Sequence, residues 1–153
     1  MPTAPTLFLV ADASRAVLWR RRTGESGYAE LASFDNPKAR LDDHELGSDR
    51  PGRVFDGSTG RSSAVELGSG LRDAVRRAFA TDLAMALEQA LVPGERFGLV
   101  APARFLGLLA DALPRALAAR RAVQLDADLT RQPKADLFER LDRLAHEAGP
   151  SAA

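Results

Sequence analysis

The sequence predicts an α/β protein built on a five-stranded mixed sheet with strand order 3-2-1-4-5. Three observations carry that prediction. Leu7–Ala11 (LFLVA) and Phe97–Ala101 (FGLVA) are continuously apolar, as central strands covered on both faces are. Leu71, Val75, Phe79, Leu83, Leu87 and Leu91 step by four, the spacing of one helix face. Short links join the first three strand-like segments, which implies an antiparallel meander. The helix that follows then returns the chain beside its first strand.

The elements follow in order. After Leu7–Ala11, Asp12-Ala13-Ser14 makes a tight turn. Ala16 to Arg21 reads as the second strand, with Val17 and Trp19 on one face and Ala16, Leu18 and Arg20 on the other. Thr23 to Gly27 is rich in turn formers. Tyr28 to Phe34 is the third strand, with Tyr28, Glu30, Ala32 and Phe34 alternating against Ala29, Leu31 and Ser33. Ser69 is the expected N-cap of the long helix, and Pro93-Gly94 ends it. After the fourth strand, Arg104 to Leu113 and Arg115 to Arg120 read as helical, broken at Pro114. Ala122 to Leu125 is the fifth strand. Pro133 suits a first helical position, and Leu137, Leu141 and Leu144 give the last helix its core face. The order 3-2-1-4-5 is that of ribonuclease-H-like folds. The expectation is one domain over 1–153, with its core over about 6–146.

Asp35 to Ala64 reads differently. It holds Pro37, Pro51 and glycines 47, 52, 57 and 60, mixed acidic and basic residues, and no apolar run for a helix or strand. A loop this long inside a compact domain is usually functional or disordered. It is the expected working surface.

Composition excludes several function classes. The formal net charge is zero, so no global basic field attracts nucleic acid, and any polyanion site must be a local patch. Nearly all of the 21 basic residues are Arg, which suits bidentate phosphate contacts. A GC-rich genome gives the same bias together with this much Ala and Leu, and the composition reads first as that bias. The chain has no cysteine, which excludes disulfides, thiol catalysis and thiolate metal sites. The start, MPTAPTLFLVADA, has no basic n-region, and its apolar run is too short for a signal peptide or membrane span. The expectation is a cytoplasmic protein with no membrane partner.

Three clusters could carry chemistry. Asp12 ends the first strand, where a ribonuclease-H-like nuclease places one of several carboxylates around two metal ions. FGLVA supplies no second one, and Asp73 and Glu88 lie off the helix's core stripe, so Asp12 reads as a turn residue accepting backbone hydrogen bonds. Asp42, Asp43, His44, Glu45 and Asp49 lack the spacing of a zinc-protease helix and read as a solvated turn. Gly57-Ser58-Thr59-Gly60-Arg61-Ser62-Ser63 could hold phosphate on backbone N–H groups, although it lacks the Lys-Ser/Thr ending of a P-loop. Arg50, Arg53 and Arg61 could add phosphate contacts, or pair with Asp49 and Asp56. The candidate phosphate or RNA set is therefore Arg50, Arg53, Gly57, Gly60, Arg61 and Ser62. The candidate polar site is Asp12, Asn36, Asp43, His44 and Glu45. No catalytic residue, metal or cofactor is assigned.

Four stretches, LFLVADASRAVLW, FDNPKARLDDHELGSDRPGRVFD, LVAPARFLGLL and DLT-x-x-P, resemble the bacterial host attachment protein family from Leu7 to about Leu144. That family in turn looks like the central domain of archaeal and eukaryotic peptide-chain release factors. There a basic loop carries Gly-Gly-Gln into the ribosomal peptidyl-transferase centre, and the Gln helps water attack peptidyl-tRNA. The corresponding place here reads Thr59-Gly60-Arg61-Ser62-Ser63-Ala64, with Arg61 where the Gln would stand. A guanidinium has no acceptor and cannot replace that amide. The resemblance implies the scaffold and a ribosome- or RNA-related origin without the hydrolysis. The leading reading is a non-enzymatic binding module using Asn36 to Ala64, with tRNA or ribosomal RNA as partner. One alternative is a hydrolase using the same loop on an ester or phosphate substrate. The other is a protein-interaction factor in host attachment or stress.

Overall fold

The computed structural model describes residues 4–24, 26–40 and 60–148, with the backbone alone over 60–69. The five strands are β1 (Leu7–Ala11), β2 (Arg15–Arg21), β3 (Tyr28–Asp35), β4 (Phe97–Ala101) and β5 (Arg121–Asp126). A 3-10 turn, η1, covers Pro37–Arg40. The helices are α1 (Gly60–Ala90), α2 (Ala103–Ala112), α3 (Arg115–Ala118) and α4 (Lys134–Ala148).

The sheet has the expected order β3-β2-β1-β4-β5. β1–β2 and β2–β3 are antiparallel, and β1–β4 and β4–β5 are parallel. β1 and β4 are adjacent and buried along their whole length, as their apolar runs require. Successive side chains divide between two cores. Leu7, Leu9 and Ala11 meet α1 and α2 through Phe79, Leu83, Leu87, Phe105 and Leu109. Phe8 and Val10 meet α4 through Leu137, Leu141 and Leu144. Edge-on aromatic contacts seal the second core, Trp19 to Phe138 at 5.2 Å and Phe8 to Tyr28 at 5.8 Å.

Gly98 stands opposite Phe8 across the β1–β4 ladder. A Cβ there would lie 2.6 Å from Cε1 of Phe8 and 2.9 Å from Cγ1 of Val123. Phe8 is fully buried and cannot swing aside. Gly98→Ala should therefore cost about 2 kcal/mol through overpacking. Urea unfolding checks this, and a change below about 0.5 kcal/mol would show that the ring relaxes freely.

Three expectations are corrected. The segment 35–64 is not wholly without regular structure: Asp35 closes β3, Pro37–Arg40 form η1, and α1 begins at Gly60. Ser69 therefore lies inside α1 rather than capping it. A helix that already has a strong apolar face downstream can extend through small polar residues of weak propensity, since packing dominates propensity. The alternation of β3 is also broken. Leu18 faces Ala32 while Trp19 faces Glu30, so Leu31 is an extra bulged residue. The bulge turns Tyr28 toward α4 and leaves Ala32 and Phe34 on the α1 side.

Candidate functional site

The parallel strands β1, β4 and β5 end along one edge of the sheet. In open α/β sheets, ligands bind outside these carboxyl ends, where strand order reverses direction. Here the reversal falls at β1, between parallel β4 and antiparallel β2.

The turn after β1 is built by Asp12. Its Oδ1 accepts hydrogen bonds from the Ser14 N–H at 2.7 Å, the Ser14 hydroxyl at 2.9 Å and the Arg15 N–H at 2.9 Å. Its Oδ2 accepts one from the Thr130 hydroxyl at 2.9 Å, which ties the β1–β2 turn to the segment between β5 and α4. The Thr130 hydroxyl also lies 2.7 Å from Oδ1 of Asp128. One hydroxyl proton serves only one of these carboxylates at a time. Burial pushes the Asp12 carboxyl up, but the bonds from Ser14, Thr130 and Arg15 outweigh it and hold Asp12 below its ordinary 3.8.

Asn36 joins the same cluster. Its N–H donates to the Ser14 carbonyl at 2.8 Å, and its Nδ2 donates to the Ala13 carbonyl at 3.1 Å. Arg40 at the end of η1 bonds Oδ1 of Asp35 at 2.6 Å and reaches the Ser14 carbonyl at 3.4 Å. The tip of the β1–β2 turn is thus held by β3, η1 and the β5–α4 segment together.

Of the expected polar residues, Asp12 and Asn36 are brought together on opposite sides of this turn. Asp43, His44 and Glu45 lie outside the described residues, as do Arg50, Arg53 and Gly57. Gly60, Arg61 and Ser62 fall in the first turn of α1, and their side chains lie outside the description. Ser14, Arg40 and Thr130 were not singled out from sequence. Thr130 had one signal, its place in the DLT stretch. Among the described residues, no three His, Asp or Glu side chains group as a metal site would need. Among them, too, no helix is long and apolar enough to cross a membrane.

The arrangement is suited to rigidity. Oδ1 of Asp12 is committed to three donors of the β1–β2 turn, and Oδ2 faces the Thr130 hydroxyl, so the carboxylate serves as a turn anchor. Asp12→Ala should cost about 2 kcal/mol, in the range for hydrogen bonds to a charged group. Asp12→Asn keeps an oxygen for the turn and should cost less than half of that. The pH sign follows from the lowered pKa. The stabilisation from Asp12 is present above 3.8 and is lost as pH falls through the lower folded value. Melting temperatures from pH 7 to pH 3 should fall less steeply in Asp12→Asn than in the unmodified protein. Parallel acid limbs would count against the assignment.

No curated protein sequence matches the chain. A family model described as protein required for attachment to host cells matches residues 7–141. The match runs from the first residue of β1 into α4 and takes in the Asp12 turn, Asn36, Arg40 and Thr130. The chain belongs to the family of proteins required for attachment to host cells.

Proposed function

We propose that the protein is a non-enzymatic, cytoplasmic binding module whose working surface joins the Asp12 turn to residues 36–64, and that its partner is tRNA or ribosomal RNA. The observation that carries the non-enzymatic part is the use of Asp12, the acidic residue at the end of β1, as a turn anchor, with Oδ1 holding three donors of the chain and Oδ2 the Thr130 hydroxyl. Metal-assisted hydrolysis there needs several carboxylates converging on the metal ions, and the neighbours that Asp12 bonds are a Ser, an Arg N–H and a Thr. The reading takes 1–153 as one host-attachment-type domain of ribonuclease-H-like architecture. The RNA part rests on the likeness of residues 59–64 to the release-factor loop and on Arg50, Arg53 and Arg61, which suit phosphate oxygens. The Arg at position 61 removes the amide that release chemistry uses.

The test separates binding from catalysis. Purified protein is titrated with labelled tRNA and ribosomal RNA fragments at several salt concentrations. Changing Arg50, Arg53 and Arg61 together to Ala should weaken binding. It should also flatten the slope of log affinity against log salt by up to about three phosphate contacts' worth. Stability should shift by no more than about 0.5 kcal/mol if these are surface positions. The unmodified protein should release no peptide from ribosomes holding peptidyl-tRNA. Absence of RNA binding, or binding indifferent to the triple change, would overturn the RNA reading. Turnover of an ester or phosphodiester would overturn the non-enzymatic one.

A further inference from the structure

β5 is the outer strand on the parallel side of the sheet, and among the described residues no strand pairs with its free edge. Its ladder to β4 determines which backbone groups are free. Ala101 pairs with Asp126, and the Ala127 N–H donates to the Ala101 carbonyl at 3.1 Å. Alternate residues of a strand bond toward the same neighbour. Leu125 and Ala127 therefore bond toward β4, while the N–H and C=O groups of Gln124 and Asp126 point away from it. The register slips at Ala122, between the Phe97–Arg121 and Gly98–Val123 pairs, so the regular outward run ends there. Unpaired edge groups of this kind are a template for another strand, and β5 holds neither the Pro nor the Lys that commonly blunts an edge.

The side chains narrow the choice of strand. Val123 and Leu125 are half-buried on the α4 face of the sheet, and Gln124 and Asp126 are exposed on the other. A second copy related by a two-fold axis through the sheet brings the same strand alongside, antiparallel. Few registers then bond outward groups to outward groups. Gln124 on Gln124 runs Asp126 into the slip at Ala122. Asp126 on Asp126 sets like carboxylates face to face. Gln124 on Asp126 bonds both outward residues of both copies, sets a side-chain amide against a carboxylate, and puts Leu125 against its own counterpart. Asp128, Arg104 and Arg131 stand at the same end of the sheet as Asp126 and leave it without net charge, so the fit is one of register.

We propose that the outer edge of β5 is the interface of a homodimer, in which Gln124 pairs with Asp126 of a second copy and Asp126 with its Gln124, joining two sheets into one. Each of these pairs exchanges two main-chain hydrogen bonds. On one face the Gln124 amide donates to the Asp126 carboxylate of the second copy. On the other, Leu125 sits at the two-fold axis and meets its counterpart in a pair without main-chain bonds, where side chains approach most closely. Val123 and Leu125 thus carry the apolar surface under α4 across the joint. The two-fold contact occupies the same edge of both copies, so this pairing stops at two. The slip at Ala122 confines it to a short run, which gives a dimer that depends on concentration. β5 lies at the opposite edge of the sheet from β3 and η1, the elements that lead into residues 41–59.

The chain has no cysteine, so single introduced thiols report the register. Leu125→Cys sets two thiols on Cα atoms about 4.5 Å apart, within reach of a disulfide. Gln124→Cys sets them two residues out of step, beyond that reach. On mild oxidation, Leu125→Cys should form covalent dimer at least tenfold faster than Gln124→Cys. Sedimentation velocity over a concentration series should show the unmodified protein passing from monomer to dimer. Gln124→Pro removes an outward N–H and no bond to β4, and it should weaken dimerisation at least tenfold. The crosslinking pattern decides the matter if the proline variant fails to fold. A monomer at every concentration, crosslinking as fast through Gln124→Cys as through Leu125→Cys, or a dimer indifferent to Gln124→Pro overturns the proposal.

Discussion

Glu95→Ala is expected to destabilise the protein by about 3 kcal/mol, the low end of the range for removing one partner of a buried ion pair. Glu95 is 7% exposed, between the end of α1 and the start of β4. Its Oε1 accepts from Nη2 of Arg20 at 2.6 Å and from the Val92 N–H at 3.1 Å, and its Oε2 accepts from Nε of Arg20 at 2.9 Å and from the Thr6 hydroxyl at 2.8 Å. Arg20 also donates to the Ala90 carbonyl at 2.8 Å, and Arg120 donates to the Val92 and Glu95 carbonyls. One carboxylate thus joins β1, β2 and the end of α1, and its Arg20 partner satisfies a helix carbonyl that would otherwise lack one. The low end applies because the Arg20 side chain keeps 28% of its surface exposed, so the orphaned guanidinium can still find water. Burial pushes the Glu95 carboxyl up, but the bonds from Arg20, Thr6 and Val92 prevail and lower it from its ordinary 4.5. Stability from Glu95 is therefore held above that value and lost as pH falls through the lower folded one. Glu95→Gln should keep part of the hydrogen bonding and flatten the acid limb of stability. Denaturant unfolding at pH 7 and pH 4 checks both statements. A loss below about 1 kcal/mol for the alanine variant would mean that the network merely decorates the surface.

That network was only half legible in the sequence. Arg20 falls on the same strand face as Ala16 and Leu18, and a charge on a core-facing row must find a partner. Nothing local identified Glu95, which lies 75 positions away and comes into reach only once β4 is laid beside β1. The central strands were legible because a strand buried on both faces has no choice of pattern. The Asp12 turn was legible because Asp-Ala-Ser after a strand offers a side-chain acceptor to the N–H groups two and three residues on. Thr130, the second anchor of Asp12, is 118 positions distant, and spacing could not reveal it. The face switch in β3 was hidden for a different reason. A bulge is a property of two strands in register, and the period of one strand does not contain it. The start of α1 was hidden because Gly60 to Ser63 carry turn-forming chemistry, which competes with helix locally and yields to the packing of the turns beyond.

Phe79→Ala is expected to cost about 3 kcal/mol, the lower part of the 3–5 kcal/mol range for deleting a buried phenyl ring. Phe79 is 6% exposed on the core face of α1, and its ring centroid lies 5.8 Å from that of Phe105 on α2. It therefore joins the two helices that cover one side of the sheet. The ring also borders the groove beside β3. The void left by alanine would open into that groove and admit water, where an enclosed cavity would stay empty at full cost. Alanine is itself a better helix former than phenylalanine, which offsets a few tenths of a kcal/mol. Phe79→Leu keeps most of the apolar volume and should cost about 1 kcal/mol. For a chain of this size, the alanine variant should melt roughly 6–12 °C below the unmodified protein. Thermal and urea unfolding of the two variants side by side check the ranking. Equal losses would place the cost in helix–helix geometry rather than in the buried ring, and a loss below about 1 kcal/mol for alanine would show that the α1–α2 contact contributes little.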